Sequence, residues 1–396
     1  MRLTIGTALA IAILLAGILH DAQAADQKIR GMNFAHSLTP QKGYGSPGSL
    51  QSLRELSRLG VDAIAIMPFG FQQSSSDTEI LWVGHGGRGI SETDDRMRAV
   101  TRQAHQLGMR VMLKPHIWLR PPDWPGSIDH DSESGWRAWF ASYRAFILHY
   151  ASLAEELKIE SLSIGNELVI ATKRPSDWRR IIAGVRRVYH GQLTYGANVD
   201  EVFDVLFWDA LDFIGVSAYF PLTESRSPTI EAMVRGWKPI TDRLADLSRR
   251  THRNVVFTEL GYRSSDYAAA RPWEHHGGAM NLTLQADAFD AFFRAVWPQP
   301  WFGGLYIWKW ESYPDHARAD DTGFPIEHKP AEGVVRRYFT EHLKNEVRQS
   351  CTIPAVAAST MFDTIGQNRP LMQYVWRGSS VLVVSASSPN RVRTQR

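Results

Sequence analysis

The sequence predicts an α/β fold of the (β/α)8, TIM-barrel class with a C-terminal appendage, and three observations predict it. Eight short runs recur between residues 31 and 308, each predominantly apolar without strict polar alternation, the pattern of parallel strands covered on both faces. The segments between them carry helical periodicity and capping residues. The longer insertions, 70–89, 119–135 and 261–281, all follow a strand, on the side where barrels of this class build their active sites. A doubly wound open sheet is the alternative, but neither G-x-G-x-x-G nor G-x-x-x-x-G-K-[ST] follows any strand.

In chain order the expected strands are residues 31–34, 61–69, 110–118, 159–165, 193–197, 213–219, 254–258 and 304–308. Ser91-Glu92-Thr93-Asp94 reads as a capping box, and the run after it ends at Leu107-Gly108 with glycine as the stop. Apolar residues at 136, 139, 140, 143, 146, 147, 150, 153, 154 and 157 make a 3.6-residue stripe, which predicts a helix over 136–157 with one face on a sheet. Further helices are expected over 176–190, closed by Gly191, and over 229–250, 282–296 and 330–343.

Residues 1–24 precede this framework. Arg2, the apolar run 3–19 and Ala22-Gln23-Ala24 before Ala25 form the basic, apolar and small-residue regions of a secretory signal peptide. The expectation is a mature chain starting at residue 25, secreted or periplasmic, with no membrane association once the signal is cleaved; an uncleaved anchor is the alternative. Residues 25–344 are expected to form the barrel and 345–396 a tail or small appendage. That tail holds six arginines against two acidic residues, with two short apolar runs at 371–376 and 381–384. The whole chain carries a net charge of only +3, so the excess belongs to the tail and the barrel is close to neutral. The balance of 44 Lys+Arg and 41 Asp+Glu argues against nucleic-acid binding. A single cysteine, Cys351, excludes a disulfide framework and a thiolate zinc cage.

The chemistry is expected where strands stop. The fourth run continues into Ile164-Gly165-Asn166-Glu167-Leu168 and the seventh into Phe257-Thr258-Glu259-Leu260-Gly261, each placing a glutamate after an apolar strand. From strands three apart in a ring of eight, the two side chains enter one pocket. Flanking a glycosidic bond is one task that needs such a pair, an acid to protonate the leaving oxygen and a carboxylate opposite it. Either glutamate alone fits a helix cap or a surface position equally well. Trp308 and Trp310 end the eighth run and Trp118 the third; each is a candidate floor for a sugar ring and also a candidate core residue.

The ordered set of Arg30-Gly31-Met32-Asn33-Phe34, Val111-Met112-Leu113-Lys114-Pro115-His116, the 136–143 helix, Gly165-Asn166-Glu167-Leu168, Phe257-Thr258-Glu259-Leu260-Gly261-Tyr262 and Gly303-Gly304-Leu305-Tyr306-Ile307-Trp308 resembles the family 113 β-mannanases of glycoside hydrolase clan A, over roughly residues 30–340. The resemblance implies a retaining hydrolase of β-1,4-linked mannan or manno-oligosaccharides. It matches Glu167 to the general acid/base, Glu259 to the nucleophile, Asn166 to the contact with the sugar 2-hydroxyl, and Tyr219 to a tyrosine on the nucleophile. Lys114 and His116 match third-strand sugar contacts and Trp308 the platform under the ring. A retaining pair further implies carboxyl groups roughly 5–5.5 Å apart. Glu311 is a weaker competing carboxylate.

Asp129-His130-Asp131 and His275-His276 lack a second cluster at ligand spacing, so no metal and no other cofactor is expected. No G-x-S-x-G elbow occurs. The expected partner is a polysaccharide or oligosaccharide, bound by a monomer. The rival readings are a clan A hydrolase of another β-glycan, and a glycan-binding barrel without catalysis.

Overall fold

The computed structural model describes residues 28–37, 39, 41–87, 92–314, 318–350, 372–377 and 380–385; the expected signal segment 1–24, Ser91 and Cys351 lie outside these. The strands in chain order are β1 (Ile29–Ala35), β2 (Ala63–Ile66), β3 (Phe69–Gln72), β4 (Leu81–Val83), β5 (Gly86–Gly87), β6 (Arg110–Leu113), β7 (His116–Leu119), β8 (Ser161–Asn166), β9 (Gln192–Ala197), β10 (Ile214–Ser217), β11 (Val255–Leu260), β12 (Phe302–Glu311), β13 (Met372–Arg377) and β14 (Ser380–Ser385). Eight of them close a parallel barrel in the order β1-β12-β11-β10-β9-β8-β6-β2, and each predicted run supplies one. The α-helices are α1 (Pro47–Leu59), α2 (Asp94–Gln106), α3 (Glu133–Leu157), α4 (Pro175–Val185), α5 (Ile230–Thr251), α6 (Leu282–Ala295) and α7 (Pro330–Ser350). Between β9 and β10 the connection holds only a 3-10 turn, Trp208–Ala210.

The second and third predicted strands are shorter than expected. Pro68 and Pro115, which have no N–H to give to a ladder, fall where each run breaks. The chain beyond each break, β3 and β7, leaves the barrel and pairs in parallel, Phe69 opposite His116 and Phe71 opposite Trp118. With β4 and β5 they make a separate four-stranded sheet, to which residues 70–87 of the insertion contribute three strands.

Helix ends follow side-chain chemistry. Thr93, not Ser91, caps α2, its hydroxyl accepting from Arg96 N, and Ser132 caps α3 from Gly135 N. The α3 stripe is buried as predicted, from Trp136 and Trp139 to Leu153 and Ala154. Helix α4 stops at Val185, short of the expected 190; the turns that follow bury Tyr189, whose hydroxyl donates to Ile159 O at 2.8 Å. Helix α1, which the periodicity above does not assign, opens on the Ser46 cap and Pro47 and closes at Gly60.

Two apolar layers result. The larger lies between barrel and helices; a smaller one joins Ala63, Ala65, Met112, Val256 and Tyr306, contributed by four barrel strands, with Phe213, and therefore fills the barrel lumen. Residues 343–396 form a separate unit, in which the two short apolar runs pair as an antiparallel hairpin from Met372 opposite Ser385 to Arg377 opposite Ser380.

The seam between first and last strand depends on one glycine. Gly304 has φ 129°, and a Cβ there would lie 2.2 Å from Ile29 N and 2.5 Å from Ile29 O. Gly304→Ala is expected to destabilise the barrel by about 1–3 kcal/mol, read as a lower urea midpoint; an unchanged midpoint contradicts the tight seam.

Candidate active site

The strand pleat sets which side chains can meet at the barrel mouth. Along β6, Val111 and Leu113 face the helices and Met112 the lumen, so Lys114 follows Met112 inward. Along β12, Tyr306 faces the lumen and Trp308 comes next on that side. For Glu259 the pleat alone gives the wrong answer. Val256 points into the lumen, whereas Phe257 packs outward on Trp237 and Phe292, and strict alternation would send Glu259 outward with it. The β11 ladder instead shifts register, against β10 between Val216 and Ser217 and against β12 between Phe257 and Leu260. Such a bulge re-aims the side chain that follows it. A similar shift of β8 against β9, between Ser163 and Asn166, precedes Glu167.

The result is one cluster. Glu259 is 5% exposed; Lys114 Nζ, itself fully buried, lies 2.7 Å from Oε1, and the Tyr219 hydroxyl donates to Oε2 at 2.8 Å. Both carboxylate oxygens are thus engaged by donors. His116 Nε2 lies 3.9 Å from Oε1; burial and the Lys114 charge keep its pKa well below the usual imidazole value, so the ring is neutral. Glu167 is of the opposite character. Burial, and then the charge of Glu259, push its pKa up to about 8, while Lys114 and the neighbouring Ser217 hydroxyl pull the other way. A carboxyl pushed toward protonation and a carboxylate that meets a donor at each oxygen share one cluster, the division of labour that acid-assisted displacement requires.

Among the buried polar atoms here without a hydrogen-bond partner are Asn166 Oδ1, His116 Nε2 and the Ser217 hydroxyl. A buried orphan of this kind calls for a reason, and a ligand hydroxyl would supply it. Trp308 is partly exposed, with Lys114 Nζ 5.6 Å from its ring centroid. Trp118, 46% exposed, lies two residues beyond His116 on β7, about 7 Å along the strand on the same face. Its ring tilts against Phe71 at 6.1 Å, and with Gln73, Asp77, Glu79 and Arg120 it lines a cavity of about 280 Å³. Phe69 and His116 pair in the same way at 5.6 Å one step inward, so the β3–β7 sheet carries an aromatic track away from Glu259.

Trp310 departs from expectation: at 4% exposure it is part of the large apolar core and offers no face to a sugar. Glu311, the competing carboxylate, is engaged by Lys309 Nζ at 2.8 Å. His130 packs edge-on against Trp136, and His275 against Phe324. The sequence reading missed Glu201, a buried carboxylate just beyond β9 whose pKa burial pushes up to about 7. In the sequence it follows Asn198-Val199-Asp200, a polar loop start with nothing to distinguish it from a surface acid.

Comparison with known proteins places the chain in a family. A family model, Glycoside Hydrolase Family 113, matches residues 32–329. Among solved structures, a family 113 β-mannanase from Alicyclobacillus acidocaldarius is 31% identical, with a TM-score of 0.71 over 79% of this chain and 97% of that one. A family 113 β-1,4-mannanase is 27% identical, with a TM-score of 0.71 over 79% and 99%. A family 5 mannosidase from Rhizomucor miehei, 10% identical at a TM-score of 0.55 over 80% and 94%, shares the fold. No curated protein matches the chain.

Removing the cation from a buried ion pair leaves the anion uncompensated. Lys114→Met is therefore expected to destabilise the protein by about 3–5 kcal/mol in denaturant titration, and a loss below about 1 kcal/mol, the scale of a surface pair, would contradict the buried pairing.

Proposed function

The chain belongs to glycoside hydrolase family 113, and we propose that it cleaves β-1,4-linked mannan or manno-oligosaccharides by double displacement, with Glu167 as general acid/base and Glu259 as nucleophile. The substrate follows from the β-mannanases it resembles. One observation carries the assignment of roles: of two neighbouring carboxyls, Glu167 has its pKa pushed up to about 8, whereas Glu259 receives a buried ammonium and a phenol hydroxyl.

In the first step Glu259 attacks the anomeric carbon, and the glycosidic C–O bond breaks as Glu167 delivers its proton to the departing oxygen. Loss of the Glu259 charge in the ester removes one cause of the raised Glu167 pKa, and Glu167, now a carboxylate, takes a proton from water, which attacks the same carbon, breaks its bond to Glu259 and releases that side chain as a carboxylate. Asn166 hydrogen-bonds the sugar 2-hydroxyl through its side-chain amide, a bond that strengthens as charge develops at the anomeric carbon. Trp308 lies under the reacting ring, His116 contacts a hydroxyl beside it, Lys114, expected as a sugar contact but fully buried, holds Glu259 instead, and Trp118 with Phe71 receives a sugar further along the chain. A barrel near neutrality suits an uncharged glycan. Export through residues 1–24 and action as a monomer complete the reading.

The acid limb of this chemistry has a defined pH dependence. Glu167 must be protonated for the first step, so kcat/KM on manno-oligosaccharides is expected to hold through neutral pH and fall as pH rises through about 8. Glu167→Gln should remove that limb, lower kcat/KM on the oligosaccharide by about 10²–10⁴-fold, and spare an aryl mannoside whose leaving group needs no proton. A rate that already falls with rising pH near 5, or equal losses on both substrates, would set aside Glu167 as the acid.

A further inference from the structure

Glu167 is a side-chain-bearing residue at φ 55°, in the left-handed region, a conformation that persists only when neighbouring structure imposes it. The neighbouring structure is β9. The Glu167 N–H donates to Gly196 O at 2.8 Å, and the next N–H along, that of Leu168, donates to the Tyr195 hydroxyl at 2.6 Å. Two successive amides on either side of the Glu167 side chain are thus fastened to two successive residues of one strand. The Tyr195 hydroxyl has its own proton to place, and the Glu201 carboxylate oxygens lie 3.1 and 3.2 Å away. Glu201 also accepts from Asn198 N at 2.8 Å and has Thr172 Oγ1 at 2.9 Å. Thr172 belongs to the segment after Glu167 and Asn198 to the segment after β9, so one buried carboxylate joins both loops.

The ring that presents this hydroxyl cannot drift. Tyr195 is fully buried, edge-on to Trp178 at 5.3 Å and Phe207 at 5.8 Å. Its other neighbour is Gly165, where a Cβ would lie 2.9 Å from Tyr143 OH, from Trp178 and from Tyr195 Cε2 at once. Only a glycine lets the β8 backbone come this close, two residues before the carboxyl being aimed.

We propose that Tyr195 and Glu201 are positioning residues for the acid/base: acting through the Leu168 amide, they hold the backbone at Glu167 in its left-handed conformation and so aim its carboxyl at the glycosidic oxygen. The inference rests on the family 113 reading above and adds to it a clamp built from β9 and the loop that follows it. The charged and titratable groups around Glu167 are Glu259, with Tyr219 and His116 beside it, Lys114 and Glu201. The Glu201 charge adds to the upward pressure on the Glu167 pKa, so the clamp tunes the proton as well as the direction.

The test uses the full-length enzyme and two substrates, a manno-oligosaccharide, whose leaving group needs the proton, and 2,4-dinitrophenyl β-mannoside, whose leaving group does not. Tyr195→Phe and Glu201→Gln each keep the shape of the side chain. Each is expected to lower kcat/KM on the oligosaccharide on the order of 10-fold, part of the full acid contribution, with a much smaller change on the activated mannoside. In Glu201→Gln the basic limb of the kcat/KM profile should also move to lower pH. Equal losses on both substrates with an unmoved limb would reduce the pair to a structural role and overturn the proposal. Should Glu201→Gln fail to fold, Tyr195→Phe, which deletes one hydroxyl and leaves the ring packing, carries the same two-substrate comparison alone. Wild-type rates come first: an inert wild type counts against the mannan reading, whereas variants that lose both rates together count against the clamp.

Discussion

A carboxylate withdrawn from water needs a cation, and the contact between Lys114 and Glu259 meets that need across the full width of the barrel. β6 and β11, which deliver the two residues, stand four apart in a ring of eight and so face each other. Closure of the barrel, the bulge that turns Glu259 inward and the burial of Lys114 are therefore one requirement. Burial pulls the Lys114 pKa down, and the two carboxyls, Glu259 foremost, push it back up. Desolvation of this kind is costly in itself and rarely adds net stability. Its use is chemical, because it aims a carboxylate, with a cation beside it, inside an apolar site.

Asymmetry between the two carboxyls follows from what each touches. Glu259 meets donors on both oxygens; Glu167 meets burial and other acids. The strand ends supply this difference without any change of residue type, since both are glutamate. The same logic extends outward. Tyr219 reaches Glu259 because Ser217 pairs with Glu259 across the β10–β11 bulge, and Tyr195 reaches the amide after Glu167 because β8 and β9 shift register at Asn166. Irregular ladder positions are where this barrel does its chemistry.

Much of this was legible in the sequence. Eight apolar runs gave the barrel strands, and the 136–157 stripe gave the α3 face, because strand burial and helical periodicity are local properties. Asn-Glu and Glu after apolar strands located Glu167 and Glu259 for the same reason. The limits were equally physical. The breaks at Pro68 and Pro115 mark ends of ladder pairing, but which partner β3 and β7 find afterwards is a tertiary matter. Trp308 and Trp310 have similar local surroundings in the sequence, and only packing separates the partly exposed ring from the buried one. Glu201 carries no local mark at all, since its importance lies in a tyrosine six residues earlier and a loop residue 29 positions back.

The central claim is that Glu259 becomes covalently bonded to the sugar while Glu167 moves the proton. The most direct measurement is mass spectrometry of the intact enzyme after incubation with 2-deoxy-2-fluoro-β-mannosyl fluoride, followed by peptide mapping of the adduct. The account predicts one added fluoromannosyl group, located on the peptide that contains Glu259. A label on Glu311 or Glu167, or turnover of natural substrate by an enzyme that the reagent never labels, would contradict it.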